Sequence, residues 1–163
     1  MLFAGGGSIP ALGVSCLLMH LEERMSELDD QDKRISAIFG EEILDVIEES
    51  LETYRAYLHE HLALPCQLTG IEDFDWEEYY VIGPGDQKEY ESLKKTRPSY
   101  RDTFNMVSFE DLIDERAGIL VGVRRVSDRR KFILPLAELE ATEKKSKNYQ
   151  LLDDYSVWFV NYR

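Results

Sequence analysis

Cysteine is scarce in this chain: Cys16 and Cys66 are the two among 163 residues, and no CxxC spacing occurs. That excludes a zinc knuckle or a disulfide framework, and it fits a reducing cytoplasm. Bases are short as well. Lys plus Arg number 19 against 32 for Asp plus Glu, a formal net charge of −13. Such a balance is a poor footprint for phosphate backbones or anionic lipid, so neither nucleic acid nor a membrane is an expected partner. No long hydrophobic run survives inspection. The apolar start, MLFAGGGSIPALGVSCLLMHLEERM, is broken by Gly5, Gly6, Gly7 and Pro10, and no Lys or Arg precedes Arg24. It lacks the positive n-region of a signal peptide and the length of a span. Residues 1–33 are expected to be a disordered extension, or a misassigned one with Met25 as the true start. Catalytic signatures are missing too: there is no GxSxG, no phosphate-cradling glycine loop, no HExxH and no cysteine beside a base. The chain does not read as an enzyme.

What the chain has in excess is carboxylate, unevenly placed. Residues 1–90 hold 20 acids and 5 bases, whereas residues 91–163 hold 12 acids and 14 bases. The densest stretch is IEDFDWEEYY, residues 71–80, with Glu72, Asp73, Asp75, Glu77 and Glu78 and no cation. Read as a strand, it turns Phe74, Trp76, Tyr80 and Ile82 one way and Asp73, Asp75 and Glu77 the other. A carboxylate row of that kind favours a bound metal, a basic partner or a raised pKa. It is not an EF-hand: Asp73, Asp75 and Glu77 take the first three ligand places, but Glu78 stands where the turn glycine belongs and Pro84 where the closing Glu belongs.

Apolar residues Phe39, Ile43, Ile47, Leu51, Tyr54 and Leu58 recur at helical steps and predict one amphipathic helix over residues 35–62, ended by Pro65. Beyond it, PCQLTGI, EYYVIG, NMVSFEDLI, GILVGVRRV and KFILPL each predict a strand of a small antiparallel sheet. Residues 83–105 interrupt them as a loop or short helix. The run from Gly118 to Leu136 predicts a hairpin turning at Ser127 and Asp128, whose bases Arg124, Arg125, Arg129, Arg130 and Lys131 are expected to pair with the acidic half. Leu151, Leu152, Tyr155, Trp158, Phe159 and Tyr162 predict a closing amphipathic helix. A second acidic cluster, Glu110, Asp111, Asp114 and Glu115, is expected in a loop just before a strand. Hard cations such as calcium are bound by oxygen donors of this type.

The segments YRAYLHEHLALP, GILVGVRRVSDRRKFILPLAELE and LLDDYSVWF resemble the bacterial calcium-binding family called CcbP. The residues that carry the resemblance are Tyr57, Leu58, Glu60, His61 and Pro65, then Pro135, Leu136, Leu139 and Glu140, then Asp153, Asp154, Tyr155 and Trp158. The resemblance implies an α+β domain over residues 34–163. Its small antiparallel, barrel-like sheet would be flanked by an N-terminal and a C-terminal amphipathic helix, with an insertion around 72–105. It further implies calcium binding without EF-hands, by a cytoplasmic buffer or sensor active in signalling. Carried over by position, the metal ligands are Glu60, Glu110, Asp111, Asp114, Glu115, Asp153 and Asp154. The alternative is an acidic interaction module that takes a basic protein partner and has no specific metal site.

Overall fold

The structure is a computed structural model that describes residues 12–163. Residues 12–33, expected to belong to a disordered or misassigned extension, lie within a helix, α1 (Leu12–Phe39). Residues 1–11 lie outside the described part.

The single helix expected over residues 35–62 is two. Gly40 has φ of +112, a left-handed conformation that favours glycine, and its N–H closes the last turn on the Ser36 carbonyl at 3.0 Å. The chain then runs irregularly to α2 (Glu48–His61). Ser50 restarts the helix: its hydroxyl accepts from the Ile47 N–H at 2.9 Å and donates to the Asp45 carbonyl at 2.6 Å. Helical periodicity continues through the break, because Ile43 and Val46 still pack on the core although their backbone is not helical.

Five strands form one antiparallel sheet: β1 (Gln67–Gly70), β2 (Phe104–Asp114), β3 (Gly118–Arg125), β4 (Lys131–Pro135) and β5 (Leu139–Ala141). Their order is β4-β3-β2-β1-β5. The edge strands do not pair with each other, so the sheet is open and the barrel-like expectation is corrected. With four residues in β1 and three in β5, that side is too short to curl round and meet β4. The structure also adds β5, which was not expected, and replaces the expected strand at EYYVIG with a helical turn, α3 (Glu78–Val81). A short helix, α4 (Gln87–Leu93), follows; it is capped by Asp86, which accepts from the Glu89 N–H at 3.0 Å.

The closing helix forms as its pattern predicts: α5 (Lys147–Asn161) starts at Ser146, whose hydroxyl accepts from the Tyr149 N–H at 3.1 Å. Its apolar face buries Leu151, Leu152, Tyr155, Trp158 and Phe159. Tyr54 stacks on Trp158 at 4.9 Å and Phe39 meets both rings. Two of the α5 aromatics keep a polar tether: the Trp158 indole donates to the Leu44 carbonyl at 2.8 Å, and the Tyr155 hydroxyl accepts from the Ile119 N–H at 2.8 Å. Ile119, Val121 and Val123 alternate inward from β3 to complete the core.

Candidate metal centre

The acidic cluster at residues 110–115 sits within β2 and its hairpin turn, where a loop before a strand was expected. Phe109 pairs with Val121 and Ile113 with Ile119, so Glu110, Asp111 and Leu112 stand opposite Leu120 alone. Extra residues on one strand cannot all join the ladder, and a bulge turns their carbonyls outward. Here the carbonyls of Glu110 and Asp111 face α2, where the Arg55 guanidinium donates to them at 2.8 and 3.1 Å. A cation therefore already rests on this bulge. Asp111 is exposed and lines a groove between α2 and β2 together with Glu52, Arg55 and His59.

The hairpin turns tightly after the bulge. Asp114 accepts from the Arg116 N–H at 2.7 Å, and Gly118 has φ of +74. A β-carbon at Gly118 would strike the Tyr155 hydroxyl, so the turn is seated directly on α5. Asp114 and Glu115 are exposed at its tip.

The remaining expected ligands lie apart from the bulge. Glu60 is exposed near the end of α2, while Glu52 of the same helix is the acid that shares the groove with Asp111. Asp153 and Asp154 lie on α5 against α1. Asp154 is buried and accepts two hydrogen bonds from Arg34, both at 2.8 Å, and one from Gln31 at 3.0 Å. That contact holds the Arg34 guanidinium above its ordinary pKa. Asp153 accepts a further bond from Gln31 at 3.1 Å.

The donor types around the bulge suit a hard cation: carboxylates and two outward carbonyls, with no soft ligand needed. The donors are not preassembled. Among the described residues no three His, Cys, Asp or Glu side chains lie together as a metal-holding group.

The acidic row at residues 71–80 resolves differently. Glu77 is fully buried and saturated with neutral donors: the Tyr90 hydroxyl at 2.8 Å, the Ser99 hydroxyl at 2.6 Å, and the N–H groups of Tyr100 at 2.9 Å and Phe74 at 3.3 Å. Burial and the bond to Glu77 push the Tyr90 hydroxyl up to about 12. Glu72, Asp75 and Glu78 point to solvent. Period-two reading put Glu77 on a wet face; the turn that buries it depends on residues 13 to 23 positions later, which no local window contains.

The basic hairpin also finds partners other than those expected. Arg125 is buried and forms ion pairs with Asp102 at 3.0 Å and Asp128 at 2.7 Å, and it donates to the carbonyls of Lys94, Lys95 and Arg97. Both acids belong to the second half of the chain, where acids and bases nearly balance. The Arg125 hydrogen bond pulls Asp128 down to about 2.

Residues 86–159 match the model of the family Calci_bind_CcbP, described as calcium binding. The match supports a CcbP-type assignment and calcium as the bound ion. It begins within the segment expected to be an insertion, so residues 86–105 are part of the matched pattern. No curated protein and no solved structure matches the chain. Among the described residues no helix is long and apolar enough to cross a membrane.

Proposed function

We infer, from the CcbP-type assignment over residues 86–159, that this chain is a calcium-binding protein acting as a cytoplasmic buffer or sensor. The observation that carries the reading to a place in the fold is the β2 bulge. It lies inside the matched segment and turns two carbonyls toward a cationic side chain, with Asp111 beside them and Asp114 and Glu115 at the adjoining turn. Calcium would be held there by Glu110, Asp111, Asp114 and Glu115, drawn together around the ion, with water completing its shell. Glu52, which shares the groove with Asp111, is a candidate recruit from α2, and Glu60 on the same helix is another. Asp154 takes no part, because Arg34 already neutralises it, and Asp153 is a peripheral acid on the same helix.

Calorimetric titration of calcium into chelator-stripped protein, repeated in excess magnesium, tests the reading. Saturable binding that persists in magnesium and disappears in Asp111→Ala/Asp114→Ala supports it. Affinity that survives the double substitution moves the site elsewhere.

The dispersal of the carboxylates favours a second reading, an acidic module that binds a basic protein partner. In that case a salt-sensitive complex forms equally in chelator and in calcium.

A further inference from the structure

Every residue of α1 from Val14 to Asp30 is exposed. Seven of them are large and apolar, each 49 to 70% exposed; Met19 stands apart on the helix, and the other six are Val14, Leu17, Leu18, Leu21, Met25 and Leu28. At 100° per residue these six occupy one stripe about 100° wide. The same face runs on into the domain, where Ile35 is fully buried and Phe39 packs on Tyr54 and Trp158. So α1 carries one continuous apolar face, covered by α2 and α5 at its C-terminal end and bare for about 25 Å before that. Helices take most of their stability from packing such a face, and nothing else in the described chain covers this one.

The spacing and the charges on either side specify what fits it. Leu18 and Met25 alternate with Val14, Leu21 and Leu28 at steps of four and three, the a and d positions of a heptad seam that ends where Asp32 takes the next a place. One flank of the seam carries Arg24 at a g position; the other carries Glu22 and Asp29 at e positions. Two such helices side by side and parallel set g of one against e of the other five residues on, which places Arg24 against Asp29 of the second copy. An antiparallel pair sets acid flank against acid flank. A lipid surface fits less well, since α1 holds six acids and three bases and the whole chain is at −13.

We propose that α1 is a homodimerisation helix, pairing in parallel with α1 of a second copy through Val14, Leu18, Leu21, Met25 and Leu28. This does not rest on the calcium reading. The test is the mass of the full chain in solution by light scattering or sedimentation over a wide concentration range. The expected result is a dimer of the 19.0 kDa chain. Leu21→Glu/Leu28→Glu should turn it into a monomer with an unaltered near-ultraviolet aromatic spectrum, because both side chains are exposed and neither belongs to the aromatic core. Arg24→Glu should weaken the dimer about fivefold, and Arg24→Glu/Asp29→Lys should restore it. A chain that is monomeric at every concentration overturns the proposal, whether or not it binds vesicles or another protein. So does a dimer that survives the double glutamate substitution, and a failure of Asp29→Lys to restore pairing overturns the parallel arrangement.

Discussion

The carboxylate of Glu77 accepts a 2.8 Å hydrogen bond from the hydroxyl of Tyr90, and both side chains are buried. With Ser99 and two backbone N–H groups on the same carboxylate, this contact ties the excursion between β1 and β2 into one unit. Glu77→Ala leaves three buried donors and one partly buried donor without this acceptor, and each orphaned buried group costs about 1 to 3 kcal/mol. The variant should lose about 3 kcal/mol or more in denaturant unfolding, and limited proteolysis should then cut between residues 71 and 103 before it cuts α5. An unchanged midpoint would mean that the excursion contributes little to the folded state.

Arg125 fastens the other end of that excursion. Its guanidinium is the common partner of Asp102, Asp128 and three carbonyls of residues 94–97. Removing one partner of a buried ion pair typically costs about 3 to 5 kcal/mol, because the others lose their counter-charge. Because Asp102 and Asp128 stay partly solvated, Arg125→Met should fall at or below the low end of that range by thermal or chemical unfolding. Asp128 sets the pH sense of this cluster. Its folded pKa lies below the ordinary carboxylate value, so its contribution is present above about pH 4 and is lost as pH falls toward 2. Asp128→Asn should therefore unfold at a lower temperature than the parent at pH 6 and converge with it at pH 2.

Both hubs explain what could be read along the chain and what could not. The helix α5 and the strands β2, β3 and β4 were legible because each carries its own period: Leu151, Leu152, Tyr155 and Trp158 at helical steps, Ile119, Val121 and Val123 at alternate positions. The 71–83 segment was not, since its alternation is incidental and its conformation is fixed by Tyr90 and Ser99 from outside the window. The break at Gly40 was masked by apolar residues that keep facing the core through it. At the candidate metal centre the acids of residues 110–115 were legible by type. The bulge that aims their carbonyls at Arg55 was not, because it is a property of the pairing with β3.

Glu138 gives a prediction of opposite pH sense. Burial, with a smaller push from Asp75, raises its carboxyl above the ordinary range. Its ionised form is thus worse off in the folded protein than in the unfolded chain, and the penalty appears as pH rises through the raised value. Glu138→Gln should raise the unfolding temperature at pH 7, and the gain should vanish below about pH 4, where the parent is itself protonated.

Asp154 and Arg34 offer a test that separates a structural carboxylate from the proposed calcium ligands. Asp154→Asn removes the charge that Arg34 grips with two bonds, and a bond to a charged group is worth about 1.5 to 3 kcal/mol. Stability should drop by that order while the calcium isotherm stays where it was. A loss of calcium binding in this variant at a temperature where it is folded would bring α5 into the site.

Arg55 supplies the converse test, since it is the cation that the bulge already holds. Its guanidinium occupies the carbonyls of Glu110 and Asp111 and lines the same groove as Asp111. A doubly charged ion bound at the neighbouring carboxylates would feel this charge as repulsion of about 1 kcal/mol at roughly 8 Å in water. Arg55→Met removes the repulsion and frees both carbonyls, so calcium affinity should rise about fivefold in calorimetry at low salt. The gain should shrink at high salt as screening weakens the repulsion. Asp111→Ala/Asp114→Ala in the same background should abolish it. If Arg55→Met leaves the isotherm unmoved while the double alanine variant loses binding, calcium sits at the turn and not on the bulge. If neither change matters, the site lies outside β2.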